Sequence, residues 1–383
     1  MEDKANAEVL GGGEITFSND GSEAYLCLIT TDKTKSDYTV DDLKKRLQQA
    51  GVVNGIDEAE LQKVIDDRMY NMPVKVAEGK KAVDGVDGWY EFLFQTEIDT
   101  KPKILEDGSV DYAGLGKNID FQIENGTDAI IICGTTGESS TLDDKEHREC
   151  IRFAVEHTHN RIPVIAGTGS NDTKYAIELS QEAQELGADG LLIVTPYYNK
   201  TTQRGLVAHY NAIADSVNLP IILYNVPSRT GVGFDVNTVA ALAEHKNIAA
   251  IKEASGNIGY TAKVAAKCGD KIDIYSGNDD MIVPIMSLGG KGVISVLSNV
   301  LPKETHQMTQ YCLENNFAAA AEMQLKYLRL INDLFMEVNP IPVKDAMNQL
   351  GMPSGPCRMP LLDMSDEHKA AMQATLRAYG MIS

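Results

Sequence analysis

Lys252 is the residue whose surroundings in the sequence best suit it to chemistry. It follows the apolar residues 248–251 and precedes Glu253, so it lies at the end of a predicted strand. Desolvation at such a position lowers the pKa of a lysine, and the resulting neutral amine is able to attack a ketone. The alternative role for a lysine in this setting is that of a structural ion-pair partner.

A second segment suited to chemistry is Gly-Thr-Thr-Gly-Glu-Ser at residues 134–139. Glycines allow a backbone to approach a ligand closely, and N–H groups at a turn or helix start bind a carboxylate. Thr135 and Thr136 add two hydroxyls to this loop. Taken alone, a Gly-Thr-Thr-Gly sequence also fits a plain turn.

Tyrosines follow two later apolar runs. Tyr197 and Tyr198 come after one run, and Tyr224 ends the next, with Arg229 shortly behind it. Tyrosine, with a free pKa of about 10, is a poor base unless its proton is relayed, so a Tyr-Thr-Tyr hydroxyl chain is a sensible proton path. Packing or an oligomer contact is the alternative role for Tyr197.

Strands alternating with helices are predicted to position these residues, which is typical of a parallel sheet built from βα units. Seven strands are predicted, at residues 129–133, 164–167, 190–195, 221–224, 249–252, 273–276 and 293–296. A helical tail follows from about residue 302. We therefore expect an α/β fold, an eight-stranded TIM (β/α)8-type barrel with a C-terminal helical extension. Reactive groups in such barrels lie at the C-terminal ends of the strands.

The N-terminal part has a different pattern and predicts a small α+β domain. Strands are predicted at residues 25–30 and 89–94, with helices from Thr39 to Gly51 and at 57–68. The first 100 residues hold 21 acidic and 11 basic residues, a denser negative charge than in the remainder. We therefore predict two domains, residues 1–105 and 109–383.

Composition excludes several classes of function. The formal net charge of −20 disfavours binding to nucleic acid or to an anionic membrane, because both are negatively charged. No apolar run is long enough to cross a membrane, and the first residues lack the apolar core of a secretory signal, so a cytoplasmic location is expected. The six cysteines lie without CxxC pairs or suitably spaced histidines, which predicts reduced thiols and no metal site.

Residues 109–383 resemble the 4-hydroxy-tetrahydrodipicolinate synthase (dihydrodipicolinate synthase) family. The resemblance rests on the loops described above and on three further motifs, at residues 277–280, 292–296 and 339–344. It implies a Schiff-base lyase that condenses pyruvate with L-aspartate 4-semialdehyde in lysine and diaminopimelate biosynthesis. It also implies a homo-oligomer, a dimer or tetramer. No metal or diffusible cofactor is expected, because the imine itself acts as the electron sink.

The resemblance implies four catalytic residues. Lys252 forms the Schiff base, and Tyr224 donates and accepts protons beside it. Thr135 and Tyr198 complete the proton relay, and Tyr198 is expected to reach into the site of a neighbouring subunit.

Three further residues are implied to contact substrate. The backbone N–H groups around Thr136 would hold the pyruvate carboxylate. The forked guanidinium of Arg229 would pair with the carboxylate of the aldehyde. The carbonyl group of Ile294 would lie near the Schiff-base lysine.

Lysine-inhibited members of the family bind lysine in a cleft between subunits. The matching positions in this chain are Ser139, Ser140, Asp144, His147, Asn171, Tyr175 and Tyr197. Sensitive members often have histidine at the position of Asp144 and glutamate at that of Tyr175. Because this glutamate would pair with the lysine ammonium, its loss predicts weak or absent inhibition by lysine.

Residues 1–105 resemble the N-terminal part of the flagellar assembly protein A family. The resemblance rests on Thr-Val-Asp-Asp-Leu at 39–43 and on Lys-Pro-Lys-Ile-Leu-Glu-Asp-Gly at 101–108. The sequence there contains no recognisable nucleophile, ligand cluster or phosphate loop, so a non-catalytic module is predicted.

The junction between the two resemblances predicts a defect in the barrel. The synthase family begins with a strand that ends in a Thr-Pro-Phe-like loop, and residues 92–107 of this chain do not match it. The barrel is therefore expected to lack its own first strand. Either residues 89–95 or residues 104–105 fill the vacant position, or the barrel stays open and unstable.

Two other functions are compatible with parts of this pattern. A sister lyase acting on N-acetylneuraminate or a keto-deoxy sugar acid would share Lys252, Tyr224 and the Gly-Thr-Thr-Gly loop, although residues 227–231 favour the semialdehyde enzyme. The other alternative is an inactive hybrid, in which the N-terminal module binds partners and the broken barrel is inert.

Overall fold

A computed structural model of the chain describes residues 13–17, 23–28, 43–44, 58–59, 61, 74–78, 96–100, 103–104 and 108–383. The chain divides into two compact units, Met1–Tyr90 and Glu91–Ser383. The sequence predicted a boundary between residues 105 and 109. The division falls earlier because residues 96–100 pair with strands of the second unit.

The first unit contains an antiparallel sheet with β1 (Gly13–Phe17), β2 (Glu23–Leu28) and β3 (Val74–Glu78) in that order. β2 overlaps the strand predicted at residues 25–30. Residues 43–44, 58–59 and 61 are helical and fall within the two predicted helices, where Leu43 and Leu61 are buried. The strand predicted at residues 89–94 lies outside the described residues, as do the predicted helix ends at Thr39 and Gly51.

The second unit is a closed barrel of eight parallel strands. Its first strand, β4 (Thr96–Thr100), is followed by a short antiparallel pair, β5 (Lys103–Ile104) and β6 (Val110–Asp111). The other seven barrel strands are β7 (Ala129–Ile132), β8 (Val164–Gly167), β9 (Gly190–Val194), β10 (Ile221–Asn225), β11 (Ile248–Glu253), β12 (Asp273–Ser276) and β13 (Gly292–Ser295). All seven were predicted, with ends that differ by at most one residue.

Side chains of the barrel strands alternate between two buried faces. Ile131, Ile165 and Leu192 pack together inside the barrel. Ile130 and Ile132, the neighbours of Ile131 in β7, belong instead to the core between strands and helices. Because both faces are buried, these strands are continuous apolar runs in the sequence, which made them predictable.

The position expected to be vacant is filled by β4. Its residues pair in parallel with β13 on one side, where Ile98 aligns with Ser295, and with β7 on the other, where Ile98 aligns with Ile130. The prediction that residues 89–95 or 104–105 fill this position is therefore wrong, as is the open barrel. β4 has the sequence Thr-Glu-Ile-Asp-Thr, with a single strongly apolar residue, so no apolar run marks it. Backbone pairing on both sides can form without such a run.

Helices surround the barrel and continue beyond it. Those accompanying the strands are α1 (Tyr112–Glu124), α2 (Asp144–Thr158), α3 (Thr173–Glu185), α4 (Gln203–Ala214), α5 (Pro227–Thr230), α6 (Val236–Leu242), α7 (Ile258–Cys268) and α8 (Ile282–Ser287). The predicted tail begins at Pro302 and comprises α9 (Pro302–Leu313), α10 (Phe317–Asp333), α11 (Ile341–Gln349) and α12 (Asp366–Ala378). Single 3-10 turns occur at Ser139–Thr141, Asp279–Met281 and Leu297–Asn299.

A capping box fixes the start of α2, the helix that follows the Gly-Thr-Thr-Gly loop. The Asp143 carboxylate accepts a hydrogen bond from the Glu146 N–H at 2.8 Å, and the Glu146 carboxylate accepts one from the Asp143 N–H at 3.1 Å.

None of the helices in the described ranges is long and apolar enough to span a membrane.

Candidate active site

Lys252 and Tyr224 lie side by side at the C-terminal ends of the adjacent strands β11 and β10, where they are aligned in the pairing register. Ala250 belongs to the core inside the barrel and Ile251 to the core outside it, so alternation turns Lys252 inward. Lys252 is only 6% exposed, and its Nζ lies 4.4 Å from the centre of the Tyr224 ring. The structure thus brings together an enclosed amine and a phenol.

A buried polar pair ties together the two strand ends that carry these residues. Asn225 Nδ2 donates to Glu253 Oε2 at 2.6 Å, and the Ser255 N–H donates to Glu253 Oε1 at 2.7 Å. Burial raises the pKa of the Glu253 carboxyl. This pair was not predicted from the sequence, although Asn225 and Glu253 directly follow Tyr224 and Lys252. Their positions next to Tyr224 and Lys252 were the signal that could have identified them.

The loop at residues 134–139 follows β7 and has an unusual backbone. Cys133 and Glu138 adopt left-handed conformations, with φ of 61° and 52°, which non-glycine residues rarely do. Gly167 lies so close that a Cβ atom there would be 2.2 Å from the Cys133 carbonyl oxygen, so a larger residue does not fit. Within the loop Thr136 is buried and Thr135 is half-buried.

Asn339 joins this loop to Arg229. Its side-chain Nδ2 donates to Thr136 Oγ1 at 3.0 Å, and its carbonyl oxygen accepts from Arg229 Nη2 at 3.1 Å. Asn339 therefore holds the two residues that were predicted to bind the two substrate carboxylates. Sequence reasoning missed this function, although Asn339 begins one of the motifs that supported the resemblance.

Ile294 is 2% exposed and packs in the same inner core as Tyr224. The turn that follows its strand is held by the buried carboxylate of Asp279, which accepts hydrogen bonds from the N–H groups of Val296 at 3.0 Å and Leu297 at 2.9 Å. Burial raises the pKa of Asp279. Asp279 is a second supporting residue that the sequence analysis did not select.

Tyr198 is not brought to Lys252 within one copy of the chain. Its side chain is 92% exposed, and its backbone has a left-handed φ of 67°. The loop that carries it is tied to its neighbour: Asn171 Nδ2 donates to the Tyr197 carbonyl at 3.2 Å, and Asn199 Nδ2 donates to the Asn171 carbonyl at 2.9 Å. A single chain therefore projects Tyr198 into solvent from an anchored loop.

The residues predicted for lysine regulation fall into separate contacts. His147 is buried, and its Nε2 lies 2.8 Å from the Gly167 carbonyl oxygen; burial lowers the pKa of His147. Asn171 and Tyr197 share the loop contact described above. Ser139 is half-buried and Ser140 is exposed.

Tyr175 and Asp144, the two positions on which the prediction of weak inhibition by lysine rests, bind each other. The Tyr175 hydroxyl donates to Asp144 Oδ1 at 2.7 Å. This hydrogen bond lowers the pKa of Asp144, helped by Arg148, whose Nη1 lies 3.5 Å from the carboxylate. Burial and the neighbouring carboxylate raise the pKa of Tyr175 to about 12.

The described residues contain no group of three or more His, Cys, Asp or Glu side chains arranged to hold a metal ion. Five cysteines in this part of the chain are not joined in disulfide bonds: Cys133, Cys150, Cys268, Cys312 and Cys357.

Comparison with known proteins separates the chain into two overlapping regions of similarity. The Flagellar Assembly Protein A N-terminal region matches residues 13–135, and the Dihydrodipicolinate synthetase family matches residues 101–379. Both matches cover residues 101–135. β4 lies before the synthetase match and within the flagellar one, so the barrel is closed by residues from the N-terminal region of similarity.

Individual relatives agree with the second match. The chain is 57% identical over 278 residues to the 4-hydroxy-tetrahydrodipicolinate synthase of Lachnoclostridium phytofermentans, which covers 72% of this chain and 95% of that protein. A crystal structure of dihydrodipicolinate synthase from Aquifex aeolicus is 44% identical with a TM-score of 0.74, covering 75% of this chain and 98% of that one. The chain belongs to the Dihydrodipicolinate synthetase family.

Proposed function

We propose that the barrel condenses pyruvate with L-aspartate 4-semialdehyde to give 4-hydroxy-tetrahydrodipicolinate, with Lys252 as the imine-forming residue. The observation that carries this proposal is the enclosed amine of Lys252, 4.4 Å from the Tyr224 ring at the C-terminal ends of the barrel strands. Family membership and the high identity to 4-hydroxy-tetrahydrodipicolinate synthases select this reaction among those that such an amine could perform.

The proposed reaction proceeds through covalent intermediates. The Lys252 amine adds to the C2 ketone of pyruvate, and loss of water gives an iminium. Loss of a methyl proton gives an enamine, whose carbon attacks the aldehyde carbon while the aldehyde oxygen takes up a proton. The amino group of the semialdehyde then attacks the imine carbon and displaces Lys252, which closes the ring. Tyr224 is placed to donate and accept the protons near the imine, with Thr135 as the next hydroxyl of the relay.

Substrate contacts are assigned to the groups that surround this centre. The backbone near Thr136 would bind the pyruvate carboxylate, and the Arg229 guanidinium would bind the carboxylate of the semialdehyde. The contacts of Asn339 with both residues support this assignment, because they fix the spacing between the two carboxylate sites. The Ile294 carbonyl is assigned to the neighbourhood of the imine.

A homo-oligomer would complete the relay. Tyr198 is directed into solvent by one chain, so we propose that it reaches the site of a second copy, which requires at least a dimer. We also propose a cytoplasmic location, in which thiols such as those of Cys150, Cys268 and Cys312 stay reduced.

Trapping of the imine tests the proposed function. The full-length protein is incubated with pyruvate and borohydride, and the chain is then weighed and digested for mass spectrometry. We expect one reduced pyruvate per chain, attached to the peptide that contains Lys252. An unmodified chain contradicts the proposal. Coupled assays with aspartate semialdehyde and with N-acetylneuraminate then distinguish the synthase from a sugar-acid lyase, and turnover of the semialdehyde is the expected result.

Lysine is expected to inhibit this enzyme weakly or not at all. The Asp144 carboxylate is already paired with Tyr175 and lies near Arg148, and position 175 offers no second carboxylate for a lysine ammonium. Half-inhibition at submillimolar lysine would contradict this prediction. The double variant Asp144→His/Tyr175→Glu, which introduces the residues of sensitive members, should lower the half-inhibiting lysine concentration by about tenfold, a typical effect of one charged hydrogen bond. Asp144→His alone is the matched control.

A further inference from the structure

A buried ion pair connects the helical extension to the Gly-Thr-Thr-Gly loop. Lys344, on α11, is 2% exposed, and its Nζ lies 3.3 Å from Oε2 of Glu138, which is 5% exposed. Lys344 Nζ also donates to the Pro356 carbonyl, and the Arg358 N–H donates to Glu138 Oε1 at 3.1 Å. Both charges are therefore enclosed and provided with partners. Removing both charges from water costs about as much free energy as their attraction returns, so the pair is expected to add little to stability. A role in holding one conformation is the better explanation for it.

The backbone conformation of Glu138 is the one that this ion pair holds in the loop. Its φ of 52° is left-handed, which is strained for a residue with a side chain. In this conformation the Glu138 N–H donates to the Thr135 carbonyl at 3.1 Å, and the Glu138 carbonyl accepts from the Thr141 N–H at 2.9 Å. The ion pair thus anchors the side chain of a residue whose backbone closes the turn around Thr135 and Thr136.

Asn339 provides a second contact from the same part of the extension. It lies just before α11 and donates to Thr136 Oγ1. The loop is therefore held from the extension at two of its residues, Thr136 and Glu138. These contacts are formed by buried side chains.

We propose that Glu138 and Lys344 are positioning residues for pyruvate: their ion pair holds the loop at residues 134–139 in the left-handed turn that directs its backbone N–H groups at the pyruvate carboxylate. This inference rests on the proposed function, since it assigns the loop to pyruvate. Neither residue is assigned a contact with substrate. Without the pair, Glu138 relaxes towards an ordinary backbone conformation and the N–H groups turn away, so pyruvate binds more weakly. Binding of the semialdehyde at Arg229 is not affected in the same way.

The double variant Glu138→Gln/Lys344→Met tests this inference. It replaces both charges by neutral side chains of similar size and so avoids leaving one charge buried alone. The pyruvate concentration that half-saturates borohydride trapping at Lys252 is measured for the full-length protein and for the variant. We expect this concentration to rise about tenfold or more, in line with the effect of small misplacements in binding sites. The KM for aspartate semialdehyde should stay within about twofold, as expected if only the pyruvate loop has moved.

Glu149→Gln/Arg152→Met is the matched control, because it neutralises an ion pair on α2 that is partly exposed to solvent and not part of the loop. It should leave the half-saturating pyruvate concentration unchanged. Circular dichroism and thermal denaturation establish that each variant is folded. A folded Glu138→Gln/Lys344→Met variant that traps pyruvate with unchanged half-saturation overturns the inference alone. Should it not fold, Glu138→Gln is measured in its place, and an unchanged half-saturation overturns the inference equally. Absence of trapping in the unsubstituted protein overturns the proposed function and this inference with it.

Discussion

Replacing Lys252 with arginine is expected to lower kcat/KM for the condensation by at least about 10³-fold, because the covalent route then has no nucleophile. Arginine keeps the positive charge and much of the length, but its guanidinium stays protonated and cannot supply the neutral amine. The buried position next to the Tyr224 ring should still be filled, so the fold is expected to survive. A coupled assay with pyruvate and aspartate semialdehyde measures the loss.

The control is Lys271→Arg, which changes a partly exposed lysine that pairs with Glu244 on the surface of the barrel unit. This variant should retain the activity of the unsubstituted protein. Borohydride trapping adds a second measurement, since Lys252→Arg should give a chain without attached pyruvate. Activity of Lys252→Arg within tenfold of the unsubstituted protein would exclude an imine at this position.

Ile98→Pro is expected to be the most damaging single change to the fold. Ile98 is the central residue of β4 and is aligned with a residue of β13 on one side and of β7 on the other. Proline has no N–H group to donate and is tolerated in sheets essentially at edges and bulges. We expect a loss of about 3 kcal/mol or more in the free energy of unfolding, typical of a disrupted backbone in an enclosed element. Thermal and urea denaturation of the full-length protein measure this change.

Phe92→Pro is the matched control for that experiment. Residue 92 lies in the segment 89–95, which the sequence analysis offered as the strand that closes the barrel. With β4 at residues 96–100, the Ile98 substitution should destabilise the protein far more than the Phe92 substitution. The reverse order would return the closing position to residues 89–95 and contradict the pairing of β4.

The way the barrel closes bears on the relation between the two halves of the chain. The match to the synthetase family starts at residue 101, after the strand that completes the sheet, and residues 96–100 fall within the match to the flagellar assembly protein. A hybrid junction therefore does not leave the sheet with open edges, which would expose unpaired backbone groups. This removes the observation that favoured an inert barrel.

The sequence by itself predicted the candidate site residues and most of the frame that carries them. Lys252 and Tyr224 were identified because each ends a strongly apolar run, and strands buried on both faces require such runs. The same physical rule located seven of the barrel strands and the start of the helical extension. The rule failed for β4, because its sequence is mostly polar. β4 forms a strand through backbone pairing with a neighbouring strand on each side.

Only the tertiary structure decided which residues support the site. The contact between Asn339 and Thr136 spans 203 positions in the sequence, and that between Lys344 and Glu138 spans 206. Local patterns of apolar and polar residues carry no information about such pairs, because each partner is an ordinary polar residue within its own segment. Lys344 and Glu138 become a buried ion pair only when the barrel and its helical extension fold together and remove both charges from water.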